Sequence, residues 1–107
     1  MTFYIKQNDT SPKILATLQN ANGDAIDLTG ASVKFHMRTV GGASTVVDAV
    51  ATIVTAASGI VRYSWVVPNT ATIGSYQAEF QVTYADATIE TFPNDSYISV
   101  EIVDDIA

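Results

Sequence analysis

The residue best suited to acid–base chemistry is the only histidine, His36, in the segment LTGASVKFHMR (28–38). A catalytic imidazole needs a carboxylate or a nucleophile beside it and a pocket around it. Apolar and polar residues alternate here, which predicts a β-strand with Lys34, His36 and Arg38 on its solvent-facing side. Two neighbouring cations oppose protonation of the imidazole and repel a metal ion. We therefore expect an exposed or half-exposed strand residue.

The other residue types that carry chemistry form no recognisable site. A zinc site is not expected, because the chain has no cysteine and no second histidine. The acidic residues Asp24, Asp27 and Asp104-Asp105 lack the spacing of an EF-hand loop, so we interpret them as turn caps and solvated surface. No G-x-S-x-G or phosphate-binding glycine loop is present. The sequence therefore predicts no catalytic residue, no metal and no cofactor.

Length and charge narrow the class of protein. The 107 residues are 48% apolar and only 15% charged, which predicts a single folded domain over residues 1–107. Five Lys and Arg against 11 Asp and Glu give a net charge of -6, so we expect neither nucleic acid nor an anionic membrane as a partner. No signal peptide and no spanning apolar run is apparent, and a chain without cysteine can fold in a reducing cytosol.

Period-two alternation dominates the chain and predicts the elements that carry these residues. It is strongest at 32–38, 60–66, 76–84 and 98–102, and weaker strands are predicted at 2–7, 13–19, 25–28, 45–54 and 88–92. Asn22-Gly23 is a hairpin signal, and the other Gly, Pro and Asn positions also fall between the runs. Helical periodicity is weak throughout. The pattern predicts an all-β, antiparallel β-sandwich of seven to nine strands.

One short segment indicates that the predicted sandwich is immunoglobulin-like. ATIGSYQA (71–78) resembles the tyrosine corner of those domains, with Tyr76 two residues before the position of the antibody cysteine, here Ala78. Trp65 then takes the place of the core tryptophan. The aromatic residues at core-facing positions are Tyr63, Trp65, Tyr76, Phe80 and Tyr84, and those nearer strand ends, which suit an exposed contact surface, are Phe3, Tyr4, Phe92 and Tyr97.

A family resemblance rests on residues spread over nearly the whole chain in order. They are Asp9-Thr10, Pro12, Asn22-Gly23, Leu28-Thr29-Gly30-Ala31, Val33, Phe35, Met37-Arg38, Gly59, Val61, Tyr63, Trp65, Gly74, Tyr76, Glu79-Phe80, Tyr84, Thr91-Phe92-Pro93 and Ile98. In this pattern the chain resembles the N-terminal domain of phage baseplate upper proteins and related tail proteins. The resemblance implies an immunoglobulin-like sandwich in a tailed-phage virion, without catalysis or cofactor. Ala87 stands where the family tends to have glycine, which suggests a different turn.

The expected function is therefore structural. The resemblance implies a non-enzymatic baseplate or tail component that is assembled in the host cytoplasm and binds other virion proteins and copies of itself. We expect the contacts at the N-terminal strand and the C-terminal segment 102–107, with the interface residues Phe3, Tyr4, Ile5, Tyr97, Ile102 and Ile106.

Three alternatives stay open from the sequence. The upper proteins continue beyond this domain, whereas this chain stops after its last strand, so a free-standing capsid-decoration or neck protein is also compatible. A carbohydrate-binding module for host attachment requires exposed aromatic residues or a calcium loop. An enzyme requires a pocket that holds His36 with an acid.

Overall fold

The structure is a computed structural model that describes residues 2–42 and 44–106, so Ala107 of the predicted contact segment lies outside it. The described residues form nine strands and one short 3-10 turn. The strands are β1 (Thr2–Lys6), β2 (Ile14–Thr17), β3 (Ser32–Thr39), β4 (Thr45–Val50), β5 (Thr52–Thr55), β6 (Ile60–Tyr63), β7 (Gly74–Thr83), β8 (Ile89–Phe92) and β9 (Ile98–Val103), and the turn is Ala56–Ser58. No helix in these residues is long and apolar enough to cross a membrane.

The strands form two sheets. The larger one has the order β1-β9-β7-β3-β4, with β8 beside the second half of β7, and the smaller one has the order β2-β6-β5. All pairs are antiparallel except β1 with β9. By connectivity, the small sheet corresponds to strands B, E and D of an immunoglobulin domain, and β9, β7, β3 and β4 correspond to G, F, C and C′. The predicted all-β, immunoglobulin-like sandwich is confirmed.

The core between the sheets is built from the core-facing half of each alternating strand. On β3, Val33, Phe35 and Met37 are buried, and β7 buries every second residue from Tyr76 to Val82. Phe35 lies at the centre, stacked on Tyr63 with ring centroids 4.5 Å apart. Burying side chains of this size stabilises the fold by roughly 1.5–3 kcal/mol each before the entropy cost. Such a core needs no disulfide.

The tyrosine corner is present at the start of β7. The hydroxyl of Tyr76 donates a hydrogen bond to the carbonyl oxygen of Thr72 at 2.6 Å, and its ring is buried. The prediction for Trp65 was only half right: the indole is buried, but it follows β6 rather than lying on the strand C equivalent. That position belongs to β3, where Phe35 meets the Trp65 ring edge-on at 5.6 Å.

Two local predictions were wrong. The predicted strand 25–28 is not formed beyond a single bridge between Gln19 and Ala25, because Ile26 and Leu28 donate backbone hydrogen bonds to two different segments. The predicted strand 45–54 is two strands in different sheets, with the change of sheet at the buried Ala51. Ala87, where a different turn was suggested, has the left-handed conformation that glycine favours, with φ of 70°.

Candidate functional site

The outer side of the large sheet carries a polar cluster with all three ionic contacts of the described residues, which we call the β3–β4–β7 face. Its residues are the solvent-facing members of three neighbouring strands and one loop tyrosine: Lys34, His36, Arg38, Asp48, Gln77, Glu79 and Tyr97. The register places His36 opposite Asp48 on one side and opposite Glu79 on the other. Cross-strand neighbours on one face lie close enough for their side chains to interact. The strand pairing thus surrounds the only histidine with acids.

Both ring nitrogens of His36 face a carboxylate. Nε2 lies 3.3 Å from Oδ1 of Asp48, and Nδ1 lies 3.3 Å from Oε2 of Glu79. A neutral imidazole has one N–H, so it can donate to only one of these oxygens, whereas the imidazolium donates to both. The side chain is 22% exposed. The predicted half-exposed position is confirmed, and Lys34 and Arg38 lie on the same side of β3 as expected. The two acids that contact the ring come from neighbouring strands and were not predicted.

Asp48 contacts both Lys34 and His36. Its Oδ1 also accepts a hydrogen bond from Nζ of Lys34 at 2.7 Å, and this bond lowers the pKa of the Asp48 carboxyl below its ordinary value, with smaller contributions from His36. The pair is solvated, with 46% and 55% of the two side chains exposed, so it contributes little to stability. The contact matters for the site because Lys34 already uses Oδ1 of the Asp48 carboxylate.

Arg38 is held by neutral groups. Its Nε donates a hydrogen bond to Oε1 of Gln77 at 3.3 Å, and its Nη2 donates to the hydroxyl of Tyr97 at 3.2 Å. The guanidinium carbon lies 5.1 Å from the centre of the Tyr97 ring, within the range of a cation–π interaction. In the part of the chain that the structure describes, Arg38 forms no salt bridge.

The face forms an open hollow of about 290 Å³, lined by all of its residues except Lys34, together with Met37 and Thr45. The two carboxylates contact opposite nitrogens of the His36 ring, so ring and acids do not converge on one point. Among residues 2–42 and 44–106, no group of three or more His, Cys, Asp or Glu is arranged to hold a metal ion. The hollow therefore suits a contact between surfaces better than proton transfer to a substrate.

The predicted interface residues are dispersed. Tyr4 is 64% exposed, Tyr97 44% and Ile106 fully exposed. Ile5 and Ile102 are core residues instead of contact residues, because the alternation of the parallel pair β1 and β9 turns both inward at the same register position. Phe3 is half-buried against Trp65.

The burial of the two groups of aromatic residues agrees only in part with the prediction. Phe92, expected near the surface, is buried at the end of β8. The predicted core positions of Tyr63, Trp65, Tyr76 and Phe80 are confirmed, and Tyr84 is half-buried.

Sequence reasoning missed Asp48, Glu79 and Arg38 as members of one cluster. Alternation placed Glu79 on the solvent side of its strand and Arg38 beside His36. The missing information was the register between strands, which depends on turn geometry and on packing of the whole sheet. Asp48 lies in a β-branched run whose core-facing side alternation left ambiguous.

Comparison with known proteins was made for the whole chain. The model of the family described as the BppU N-terminal domain matches residues 2–106, a range that contains every strand of the sandwich. A search of curated proteins finds no match. A family match over nearly the full length agrees with the confirmed fold, and the phage baseplate domain implies a location in the virion. The chain therefore belongs to the BppU N-terminal domain family, a domain of phage baseplate upper proteins, and is a phage baseplate-related structural protein.

Proposed function

We propose that this chain acts without catalysis, as one β-sandwich domain over residues 1–107 that holds neighbouring proteins in a symmetric assembly of the phage baseplate. Its partners are other virion proteins and copies of itself, and it is assembled in the host cytoplasm without cofactor, nucleic acid or membrane. Family membership supports the baseplate over the capsid-decoration and neck alternatives.

The position of His36 is the observation that supports a function without catalysis. Each ring nitrogen already faces a carboxylate at 3.3 Å, so neither nitrogen is presented to a substrate. The hollow around the ring is open and exposed to water, whereas catalytic electrostatics gain their strength where water is excluded. Most of the large aromatic side chains that a sugar would stack on, such as Tyr63 and Trp65, are buried in the core. Of the described aromatic residues only Tyr4 and Tyr97 are largely exposed, which weakens the carbohydrate-binding alternative.

The proposed binding to other proteins rests on the strand edges and side chains that the fold leaves exposed. The sandwich has open edges at β1 and β4 in the large sheet and at β2 and β5 in the small one, within the described residues. Strand edges supply backbone pairing, and exposed aromatic and apolar side chains supply specificity. Tyr4 on the edge strand β1 and Ile106 beyond β9 are exposed at such positions.

The test is incorporation of variants into phage particles. We expect Tyr4→Ser and Ile106→Ser to reduce the amount of chain in purified particles, measured by mass spectrometry, while Val66→Ser, an exposed apolar position in the loop between β6 and β7, does not. His36→Gln should be incorporated normally and support infection. Absence of the wild-type chain from purified particles, labelling on the capsid instead of the tail tip, or loss of infection in His36→Gln with normal incorporation would each contradict the proposal.

A further inference from the structure

The charge of this chain is distributed unevenly. The β3–β4–β7 face has two of the five Lys and Arg residues, the only histidine, and two of the 11 acids. Its own charge is therefore zero, or +1 with a protonated imidazole, and the whole net charge of -6 lies on the rest of the chain. On a molecule that is otherwise acidic, an acidic segment of a second copy meets the least repulsion at this face, and the potentials of the two surfaces orient their association.

Arg38 is the cation of this face that is available to a partner. Lys34 and His36 already contact the two carboxylates, whereas Arg38 contacts only the amide of Gln77 and the ring and hydroxyl of Tyr97. Of its five N–H donors, the two bonds described use two. The guanidinium is thus held in place with donors left for a carboxylate, and such a pair can form two parallel hydrogen bonds. Arginine and tyrosine are also the side chains that dominate interface energies.

The complementary segment lies at the other end of the described chain. Asp104 and Asp105 follow β9, are exposed, and adjoin the fully exposed Ile106. Asp27 and Asp86 are exposed as well, but each accepts hydrogen bonds from both the backbone and the hydroxyl of a threonine two residues on. The exposed Asp9, Asp24 and Asp95 are single acids without an acidic neighbour in the sequence. Oδ1 of Asp105 accepts a hydrogen bond from the Ile106 amide at 2.8 Å, which leaves its second oxygen and the Asp104 carboxylate for a partner. Two adjacent carboxylates followed by an apolar side chain match a guanidinium beside an aromatic ring.

We propose that the hollow at Arg38 and Tyr97 receives the segment 104–106 of a second copy of this chain. The contact is head-to-tail, since it joins two different surfaces, and repetition of such a contact closes into a ring when the rotation permits. Asp104 and Asp105 provide the carboxylates for Arg38, and Ile106 packs beside Tyr97. This proposal rests on the proposed function, because it names the contact through which copies of the chain form the symmetric assembly.

Salt distinguishes this contact from the repulsion between whole molecules. Two chains of charge -6 repel each other at long range, but the screening length is about 8 Å at 0.15 M ionic strength, so the long-range term is largely removed while a direct ion pair persists. At about 1 M salt the screening length falls to about 3 Å and exposed ion pairs weaken as well. We expect self-association at 0.15 M salt that decreases at 1 M.

Charge reversal tests the pairing directly by sedimentation velocity at about 0.15 M salt. We expect Arg38→Glu to weaken self-association by about tenfold or more, because the exchange turns attraction into like-charge repulsion. The double variant Asp104→Lys/Asp105→Lys should do the same. An equimolar mixture of the two variants should associate again, because each supplies the charge that the other lacks. Lys13→Glu changes the net charge equally, away from the face, and should associate like the wild type.

Three outcomes would overturn the proposal. A wild-type chain that stays monomeric up to its solubility limit would show that two copies do not bind each other through this contact. Undiminished association of Arg38→Glu would place the contact elsewhere. A mixture of the two variants that stays monomeric would show that Arg38 and segment 104–106 do not bind each other. Fluorescence of Trp65, the only tryptophan, verifies that each variant is folded, and particle incorporation, measured separately, shows whether the proposed function stands when this contact fails.

Discussion

At the scale of single residues, the hydroxyl of Tyr76 fixes the start of the central strand. Tyr76→Phe keeps the buried ring and removes only the hydrogen bond to the carbonyl of Thr72. We expect the free energy of unfolding to fall by about 1 kcal/mol, the usual net contribution of a partly buried hydrogen bond, measured by urea denaturation. Tyr4→Phe is the control, because that side chain is 64% exposed. Equal losses in both variants would show that the corner bond does not stabilise the fold.

Tyr84 predicts a dependence of stability on alkaline pH. Burial, together with the hydrogen bond that its hydroxyl donates to Oε1 of Glu90 at 2.7 Å, raises its pKa from 10.0 to about 12. The unfolded chain then loses this proton at a lower pH than the folded chain. The contribution of Tyr84 is therefore complete below pH 10, and it is lost as the pH rises from there to about 12.

The comparison with Tyr84→Phe isolates this contribution. Urea midpoints measured between about pH 8 and pH 11.5 should fall less steeply for Tyr84→Phe than for the wild type, since the variant has no proton to lose there. Tyr63 and Tyr76, whose pKa values burial also raises, titrate in both proteins and cancel in the comparison. Parallel curves would contradict the assignment of the raised pKa to Tyr84.

Residue positions were predictable only as far as alternation determines them. The half-exposed position of His36 and the burial of Phe35 and Phe80 follow from the order of residues within a strand. The acids that contact His36 do not, because each belongs to another strand whose register is set by the fold of the whole sheet. The burial of Ile102 also follows from alternation, because it lies on the same side of β9 as the buried Val100, so the prediction of Ile102 as a contact residue went against this pattern.

At the scale of elements, Gly59 joins the small sheet to the loop that precedes β3. It has φ of 67°, and its carbonyl oxygen accepts a hydrogen bond from the amide of Leu18 at 2.8 Å. A Cβ atom at this position would lie 2.7 Å from the carbonyl oxygen of Leu18 and 2.8 Å from that of Ile26. Both are backbone atoms, so the chain must shift to make room.

We therefore expect Gly59→Ala to lower the free energy of unfolding by more than about 2 kcal/mol, the sum of backbone strain and this displacement. Gly23→Ala is the matched control, because Gly23 also has a positive φ, of 84°, but nothing lies within 4 Å of the added Cβ. That variant should lose only about 1 kcal/mol, from strain alone. Urea denaturation compares the two, and similar losses would mean that the close approach around Gly59 is unimportant.

The elements themselves were predictable where alternation is strict and long. β3 and β7, which pair along eight residues, show it without interruption. Segment 25–28 has strand-forming residues but no strand, since the hydrogen bonds of Asp27 to Thr29 and of the Leu28 amide to Ala56 bind it to turns. The change of sheet at Ala51 left no signal, because β-branched residues continue across it.

At the scale of the whole molecule, the fold separates a neutral, apolar interior from surfaces of unequal charge. One core joins both sheets, and its aromatic centre links β3, β6 and β7. The strands that pass through this centre also carry His36, Arg38 and Glu79 on their opposite sides. The position of the β3–β4–β7 face therefore depends on how the core is packed.

Phe35 tests this dependence, because its ring is fully buried and contacts Tyr63, Trp65 and Phe80. We expect Phe35→Ala to lower the free energy of unfolding by about 3–5 kcal/mol, the range for deleting a buried aromatic ring, out of a total of about 5–15 kcal/mol for a domain. Val50→Ala on the exposed side of β4 should change it by less than about 0.5 kcal/mol.

Urea denaturation followed by the fluorescence of Trp65 reports directly on this centre, since the indole lies 5.6 Å from the Phe35 ring. Circular dichroism at the same urea concentrations follows the sheets. If both sheets depend on one core, the two signals will change together in Phe35→Ala, with a single transition at a lower midpoint. A fluorescence change at low urea, with the sheets lost only later, would show that the aromatic centre can loosen by itself and that the outer face does not depend on it.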